Sequence, residues 1–275
     1  MNNELMEAFF NDHQARFSTE TTRGYRIALN QFFSFCSKPY DQIKAMDIRI
    51  WMNSMEEKGL KPTSIHLKLS AVKSFYRYCM EENKLKKNPS LLVKTPKIDD
   101  SLPYYLSRRQ VTLLQELTKS DPQARALVEA LYTTGVRISE LLNIKQVDVK
   151  WDTRQIWIKG KGTKERFVLF THECSVRLKA YLAEREIKSD YLFCNSRGDK
   201  VDRDYVQKQF REYTKTLGFK VSPHTMRHTF AAHLAERKMP QSYIQDLLGH
   251  VNINTTHIYT RLMEQARKNK YDQYQ

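Results

Sequence analysis

Six side chains between residues 137 and 259 of this 275-residue chain have the chemistry needed to break a phosphodiester bond without a metal ion. They are Arg137, Lys161, His224, Arg227, His250 and Tyr259. Arginines neutralise the charge that develops on the attacked phosphate, a task that metal ions perform in other nucleases. A tyrosine supplies the oxygen nucleophile, a histidine accepts its proton, and a lysine protonates the departing oxygen. The set therefore predicts a transesterification with Tyr259 as the nucleophile.

Arg137 opens a predicted helix, so its guanidinium and the first backbone amides of that helix point in the same direction. Such a position suits an anion, and phosphate in particular. Glu140 follows at the spacing i+3, which lets a carboxylate hold an arginine on the same helix face. We expect Glu140 to support Arg137 rather than to act on a substrate.

Lys161 lies in a glycine-rich turn between two predicted strands, residues 155–159 and 165–170. The glycines on both sides of Lys161 allow the turn to approach another molecule closely, so that the lysine can reach a leaving oxygen. The alternative interpretation is a solvated basic turn. Three more basic residues belong to the same hairpin: Lys159, Lys164 and Arg166.

His224 and Arg227 are three residues apart near the start of a helix predicted to follow Ser222 and Pro223, so both project from one helix face. His228 completes a His-x-x-x-His spacing that is compatible with zinc. The residue after His224 is a threonine, however, where a HExxH protease needs glutamate. No cysteine or carboxylate lies close in sequence to these histidines. We therefore expect neither a metal ion nor a cofactor.

His250 and Tyr259 both have ordinary structural explanations when each is taken alone. His250 follows Leu247-Leu248-Gly249, a pattern typical of a helix that ends at a glycine. Tyr259 is one of 15 tyrosines, and a single tyrosine most often contributes to packing. Their functional interpretation depends on their combination with the arginines and the lysine upstream.

The first 95 residues are predicted to be helical, with aromatic side chains that form a core rather than a platform for bases. A proline-flanked, acidic segment at residues 96–105 predicts a linker, because proline lacks the amide that a helix needs. It would separate a domain of residues 1–95 from one of residues 106–275. Three helices are predicted in the first domain, from Ser18 to Phe35, from Ile43 to Glu57, and from Thr63 or Ser64 to Cys79.

The second domain is predicted to be mainly helical with one small antiparallel sheet, formed by the two strands that flank Lys161. From Ser175 onward the apolar pattern is again helical. Three helices are predicted before the strands: one capped by Ser107 and continuing to Leu117, one from Asp121-Pro122 to Tyr132, and one from Arg137 to Leu142.

Lysine and arginine outnumber aspartate and glutamate by 46 to 31, which gives a formal charge of +15. Such an excess favours a polyanionic partner, with nucleic acid as the usual one and a merely basic surface as the alternative. The four cysteines form no CxxC pair, so we expect reduced thiols in a cytoplasmic protein. No apolar stretch approaches the ~20 residues that cross a bilayer, and no secretion signal is expected at the N-terminus.

Four sequence blocks resemble the tyrosine recombinase (phage integrase) family, and especially its Xer-type recombinases and resolvases. The blocks are TGVRISEL, IKGKGTKERFV, PHTMRHTFAAHL and LGHVNINTTHIYT, in that order. The resemblance extends over nearly the whole chain, and in residues 1–95 it rests on length and helical pattern. It implies that Arg137 and Arg227 are the catalytic arginines, Glu140 the acidic support, Lys161 the general acid to the leaving 5′ oxygen, His224 and His250 the two histidines, and Tyr259 the nucleophile that forms a 3′-phosphotyrosine.

The same resemblance implies a mainly α-helical, two-domain clamp. The N-terminal part would be a four-helix-type, SAM-like core-binding domain, and the C-terminal part a helical catalytic domain with a small antiparallel sheet. The expected partner is double-stranded DNA with paired inverted half-sites, in the nucleoid of the cytoplasm. Four copies would exchange strands through a Holliday junction, with residues 262–275 docked on a neighbouring protomer. Accessory proteins or a partner recombinase are further candidate partners.

Two other functions are compatible with parts of the sequence. A type IB topoisomerase uses a similar set of residues, but it acts as a monomer and needs neither paired sites nor a docking segment. A DNA-binding protein that retains the fold without activity is disfavoured because all six reactive positions are intact. Within the recombinase interpretation, integration, excision, chromosome-dimer resolution and cointegrate resolution remain alternatives.

Overall fold

The computed structural model describes residues 2–97, 103–159 and 165–249 of the chain. The predictions for Lys161, His250, Tyr259 and residues 262–275 lie outside the described residues. The chain divides into two compact units, Met1–Asp100 and Ser101–Gln275. Each unit has a hydrophobic core of its own.

The described part of the N-terminal unit is built from four α-helices, in agreement with the four-helix-type architecture that was expected. Two of these helices have residues at their start that favour helix initiation. Ser18 accepts a hydrogen bond from the Thr21 amide at 3.2 Å, and Pro62 occupies the first position of its helix. The helices are α1 (Asn2–Asp12), α2 (Thr19–Cys36), α3 (Ala45–Glu57) and α4 (Pro62–Glu81), with a 3-10 turn at Tyr40–Gln42.

Two predicted helix starts in this unit were displaced by one or two residues. The predicted start at Ile43 was wrong because Ile43 has extended backbone; α3 begins at Ala45, where the Asp47 carboxylate accepts the Lys44 amide at 2.8 Å. The predicted start of α4 at Thr63 or Ser64 was also late, because Pro62 already has helical backbone. A proline fits that position because its missing amide would have no partner there.

Aromatic side chains dominate the core of the N-terminal unit, which confirms their interpretation as packing residues. Phe9, Phe32, Phe75 and Tyr76 are completely buried. The Phe75 ring contacts those of Phe9 and Phe33 edge to face, with centroids 5.7 and 5.5 Å apart. Burial of this many rings stabilises a small unit strongly and leaves them unavailable for stacking on bases.

The described part of the second unit is mainly helical, with a three-stranded antiparallel sheet in the order β1-β2-β3. The predicted pair of strands is confirmed as β2 and β3; the two-residue strand β1 was not predicted. The elements are α5 (Arg108–Leu117), α6 (Pro122–Thr134), α7 (Ile138–Leu141), β1 (Val149–Lys150), β2 (Gln155–Lys159), β3 (Glu165–Leu169), α8 (His172–Glu184), α9 (Arg203–Leu217), α10 (Pro223–Glu236) and α11 (Gln241–Leu248).

The four cysteines are free thiols, as the sequence indicated. Cys79, Cys174 and Cys194 are buried, and Cys36 is partly buried. Burial raises the pKa of Cys79 and of Cys174 to about 12, so both remain protonated and unreactive near neutral pH. Across the part of the chain that the structure describes, no helix is both long and apolar enough to pass through a membrane.

Helix α6 ends at Thr134 and is followed by Gly135, which leads into the segment that carries Arg137. Gly135 has φ +62°, a left-handed conformation that side chains disfavour. A Cβ atom built on it would overlap the ring of Phe230, which extends from α10. The absence of a side chain thus allows α10 to approach the end of α6 closely.

We expect Gly135→Ala to destabilise the protein by about 2–5 kcal/mol. The left-handed backbone costs an alanine about 1–2 kcal/mol, and displacement of a packed aromatic ring adds about 1–3 kcal/mol. Gly218→Ala is a matched control, because Gly218 has φ +71° but no atom within 4 Å of the added Cβ. Denaturant-induced unfolding would measure the free energy of unfolding of both variants. Equal losses of stability in the two would contradict the proposed overlap with Phe230.

Candidate active site

Arg137 lies directly before α7, at the N-cap position of this helix. Its backbone amide donates to Glu140 Oε2 at 2.8 Å, and its side-chain Nη1 donates to Glu140 Oε1 at 2.9 Å. The predicted support of Arg137 by Glu140 is therefore present in the structure. The helix begins one residue later than predicted, at Ile138. Arg137 keeps 48% of its side chain exposed, whereas Glu140 keeps 8%, so only the arginine remains open to a ligand.

Glu140 also binds a second arginine, Arg166 of β3. Nη1 of Arg166 donates to Oε1 at 3.1 Å, and Nη2 donates to Oε2 at 2.9 Å. Burial by itself raises the pKa of Glu140, but hydrogen bonds from Arg166 and from the Arg137 amide, together with both positive charges, lower the pKa on balance. The carboxylate therefore stays ionised between the two guanidinium groups at neutral pH.

Arg227 is placed by the first turns of α10. That helix starts at Pro223, one residue earlier than predicted, because Ser222 accepts a hydrogen bond from the Thr225 amide at 3.0 Å and proline fits the first helical position. Arg227 is 4% exposed. Its Nη1 donates to the Gly135 carbonyl at 2.7 Å and its Nη2 to the Leu248 carbonyl at 2.7 Å.

His224 lies on the exposed side of the first turn of α10, with its ring centroid 4.3 Å from that of His228. The pKa of His224 is lowered because its ring is partly desolvated, and because the charges of Arg227, Arg137 and Lys220 oppose protonation. Neutral imidazole predominates at pH 7 as a result. A neutral imidazole can accept a proton, which suits the role that the sequence suggested.

Residues from two separate sequence blocks meet in this region. The Arg227 guanidinium binds the carbonyl two residues before Arg137, and both arginines act electrostatically on His224. Three of the six predicted reactive residues are therefore brought together, along with Glu140. The other three, Lys161, His250 and Tyr259, lie outside the described residues. Their placement remains a prediction from the sequence.

Arg166 was interpreted from the sequence only as one more basic residue of the hairpin. In β3 it lies opposite Ile158, and Val168 lies opposite Ile156. Residues opposite each other in an antiparallel pair share one face, as do alternate residues of a strand. Ile158, Ile156 and Val168 are buried, so this alternation was the signal that Arg166 points inward.

The assembled residues form a site with two arginines and a neutral histidine, compatible with binding and polarising a phosphate group. Residues 2–97, 103–159 and 165–249 contain no cluster of three or more histidine, cysteine or acidic residues that could hold a metal ion. The zinc alternative for His224 and His228 thus gains no third ligand from the described residues.

Comparison with known proteins gives matches along most of the chain. Residues 105–266 match the phage integrase family, and residues 7–83 match the phage integrase N-terminal SAM-like domain. Tyrosine recombinase XerC from Staphylococcus saprophyticus is 34% identical over 269 residues, which cover 93% of this chain and 91% of the relative.

Solved structures agree with these matches. The crystal structure of XerA recombinase has 34% identity and a TM-score of 0.57, covering 100% of this chain and 99% of the other. XerH site-specific recombinase bound to palindromic difH substrate has 23% identity and a TM-score of 0.79, covering 98% and 84%. The latter supports the fold alone. The chain belongs to the phage integrase family of tyrosine recombinases, enzymes that cleave and rejoin DNA at specific sites.

Proposed function

We propose that this recombinase holds the scissile phosphate with Arg137, Arg227 and His224 and attacks it with Tyr259. The observation that carries the proposal is the contact between Arg227 and the Gly135 carbonyl at 2.7 Å. It joins two arginines from distant sequence blocks at one place, beside a histidine whose pKa is lowered. Two guanidinium groups and a neutral imidazole are suited to a phosphate that gains negative charge during attack.

Side chains of this protein can supply and accept every proton that the proposed reaction transfers. The Tyr259 oxygen forms a bond to phosphorus and gives its proton to a neutral imidazole, for which His224 is the candidate among the described residues. The bond from phosphorus to the 5′ oxygen breaks, and Lys161 supplies the proton that makes a free 5′ hydroxyl. His250 is proposed as the second histidine at the phosphate. The energy of the phosphodiester is kept in the 3′-phosphotyrosine, so the second transfer needs no nucleotide cofactor.

The two units suggest a division of labour on DNA. We assign core-site binding to residues 1–95, a linker to residues 96–105, and catalysis to residues 106–275. The charge of +15 supports a DNA partner and predicts binding that weakens steeply with salt. The XerH structure, whose fold this chain shares, was solved bound to a difH substrate, which is consistent with such a partner.

We assign the chain an Xer-like or resolvase-like reaction between two sites, each with paired inverted half-sites. Four copies would assemble and exchange strands through a Holliday junction, with residues 262–275 docked on a neighbouring protomer. Accessory proteins or a partner recombinase would act on the same complex in the nucleoid. The relative named tyrosine recombinase XerC, 34% identical over 93% of the chain, supports this assignment over a monomeric type IB topoisomerase.

The proposal is tested with a nicked suicide duplex, chosen from a pool with randomised half-sites by its retention on the protein in detergent. We expect a covalent protein–DNA adduct in EDTA, because the site needs no metal ion. Two copies of the chosen duplex should yield recombinant products. Adduct formation that requires a divalent metal would contradict the mechanism. Relaxation of supercoils without recombinants would favour the topoisomerase.

A further inference from the structure

Arg166 is bound on every side by acceptors of the protein itself. Its two terminal nitrogens donate to Glu140, and its Nε donates to the Leu247 carbonyl at 3.1 Å. Its side chain is 13% exposed. A guanidinium with all three nitrogens engaged in this way has a fixed orientation.

The Leu247 carbonyl belongs to the last turn of α11, where helix carbonyls lack partners within the helix. Arg166 binds that carbonyl, and Arg227 binds the next one, of Leu248. Gly249 packs directly on the Arg166 guanidinium, since a Cβ atom there would come within 2.9 Å of its Nε and Cζ atoms. Two arginines thus fasten the end of α11, immediately before His250 and the segment that carries Tyr259.

Glu140 connects this attachment to Arg137. One carboxylate accepts four hydrogen bonds, two from Arg137 and two from Arg166, over distances of 2.8–3.1 Å. Arg137 is half-exposed and would otherwise sample many rotamers. Because Arg166 fixes the Glu140 carboxylate, the Arg137 side chain that binds this carboxylate has fewer orientations available. The entropic cost of aligning Arg137 with a phosphate is therefore lower.

We propose that Arg166 is a positioning residue, which fixes Glu140, and through it Arg137, against the C-terminal end of α11. This inference rests on the proposed function of Arg137. Arg166 belongs to the strand that follows the Lys161 turn, so the same side chain ties that hairpin to α7 and α11. The first catalytic arginine and the end of the helix before His250 are then held in one arrangement.

The test measures single-turnover cleavage of the suicide duplex at saturating DNA by Arg166→Met and Arg166→Lys. We expect Arg166→Met to cleave about 10–100-fold more slowly, the range seen when partners that orient metal ligands are removed. Arg166→Lys should recover part of the rate, because lysine keeps the charge but cannot form the paired bonds. Arg177→Met is the matched control, since Arg177 forms an exposed pair with Glu173 at 2.7 Å; it should cleave at the wild-type rate.

A pH profile distinguishes positioning from folding. Arg137 and Arg166 are the charged side chains that face Glu140 among the described residues, from the start of α7 and from β3. Replacement of Arg166 by methionine leaves Glu140 buried but removes one of the two positive charges beside it, so the pKa of Glu140 should rise. The acid limb of cleavage by Arg166→Met should therefore move to higher pH. In the double variant with Glu140→Gln the losses should be far from additive.

Three results would overturn the inference. A lower melting temperature with an unchanged saturating rate would make Arg166 merely structural. Weaker DNA binding, a salt slope reduced by about one, and an unchanged saturating rate would make it a phosphate contact. Additive effects of the Arg166 and Glu140 substitutions would break the link between them. Failure of the proposed function is distinct, because the wild-type protein would then form no adduct at all.

Discussion

Tyr259→Phe is expected to abolish the covalent adduct with the suicide duplex while DNA binding is retained. Phenylalanine preserves the ring and removes only the oxygen that attacks phosphorus, so no side chain remains to form the ester. Adduct formation is measured by electrophoresis in detergent, and binding by gel shift without it. Mass spectrometry of the wild-type adduct after digestion should identify the linked peptide as the one that contains Tyr259.

Tyr243→Phe is the matched control for this experiment. Tyr243 lies on α11 with 62% of its surface exposed, so loss of its hydroxyl should leave both binding and adduct formation unchanged. With 15 tyrosines in the chain, the comparison separates loss of the nucleophile from loss of any tyrosine. An adduct that persists in Tyr259→Phe would exclude Tyr259 as the attacking group.

The helices could be predicted from the sequence where a polar cap precedes an apolar stripe. Ser18, Ser107 and Ser222 each accept an amide of the first turn, as their positions before the stripes indicated. The start of α6 has the same origin in Asp121, whose carboxylate accepts the Ala124 amide at 3.0 Å. Such signals are local, so they can be detected in a single sequence.

Features that depend on distant partners could not be predicted in this way. Strand β1 has two residues, too few for any periodic pattern, and it exists because β2 offers it a pairing edge. Ile43 was predicted to begin a helix, but it has extended backbone before α3, and its side chain is buried in the core. Tertiary packing decided both cases.

The features of the candidate site also divide into those with a local sequence signal and those that depend on distant residues. The types and order of its residues indicated the chemistry, and the spacing of Arg137 and Glu140 indicated one contact correctly. The contacts of Arg166 with Glu140 and Leu247, and those of Arg227 with Gly135 and Leu248, join residues that are 21 to 92 positions apart. Sequence spacing carries no information about contacts at such separations.

Arg227→Ala is expected to reduce the saturating cleavage rate by about a thousandfold or more. Removal of a single preorganised donor to a developing negative charge costs about 10²–10³ in rate, and this change removes a full positive charge as well. It also leaves the Gly135 and Leu248 carbonyls without their donors in a buried site. We therefore expect an accompanying loss of about 2–4 kcal/mol in the free energy of unfolding.

Arg227→Lys separates the contribution of the positive charge from that of the paired hydrogen bonds. Lysine retains the charge, but it is a point donor and cannot bridge two carbonyls in opposite directions as the planar guanidinium does. We expect Arg227→Lys to lose less stability than Arg227→Ala, because lysine can still donate to one of the two carbonyls, and to cleave about a hundredfold more slowly than the wild type. Arg237→Lys, at the exposed end of the same helix, should change neither quantity. Wild-type cleavage by Arg227→Lys would mean that only the positive charge is required, and that the paired contacts of the guanidinium with Gly135 and Leu248 contribute nothing to the rate.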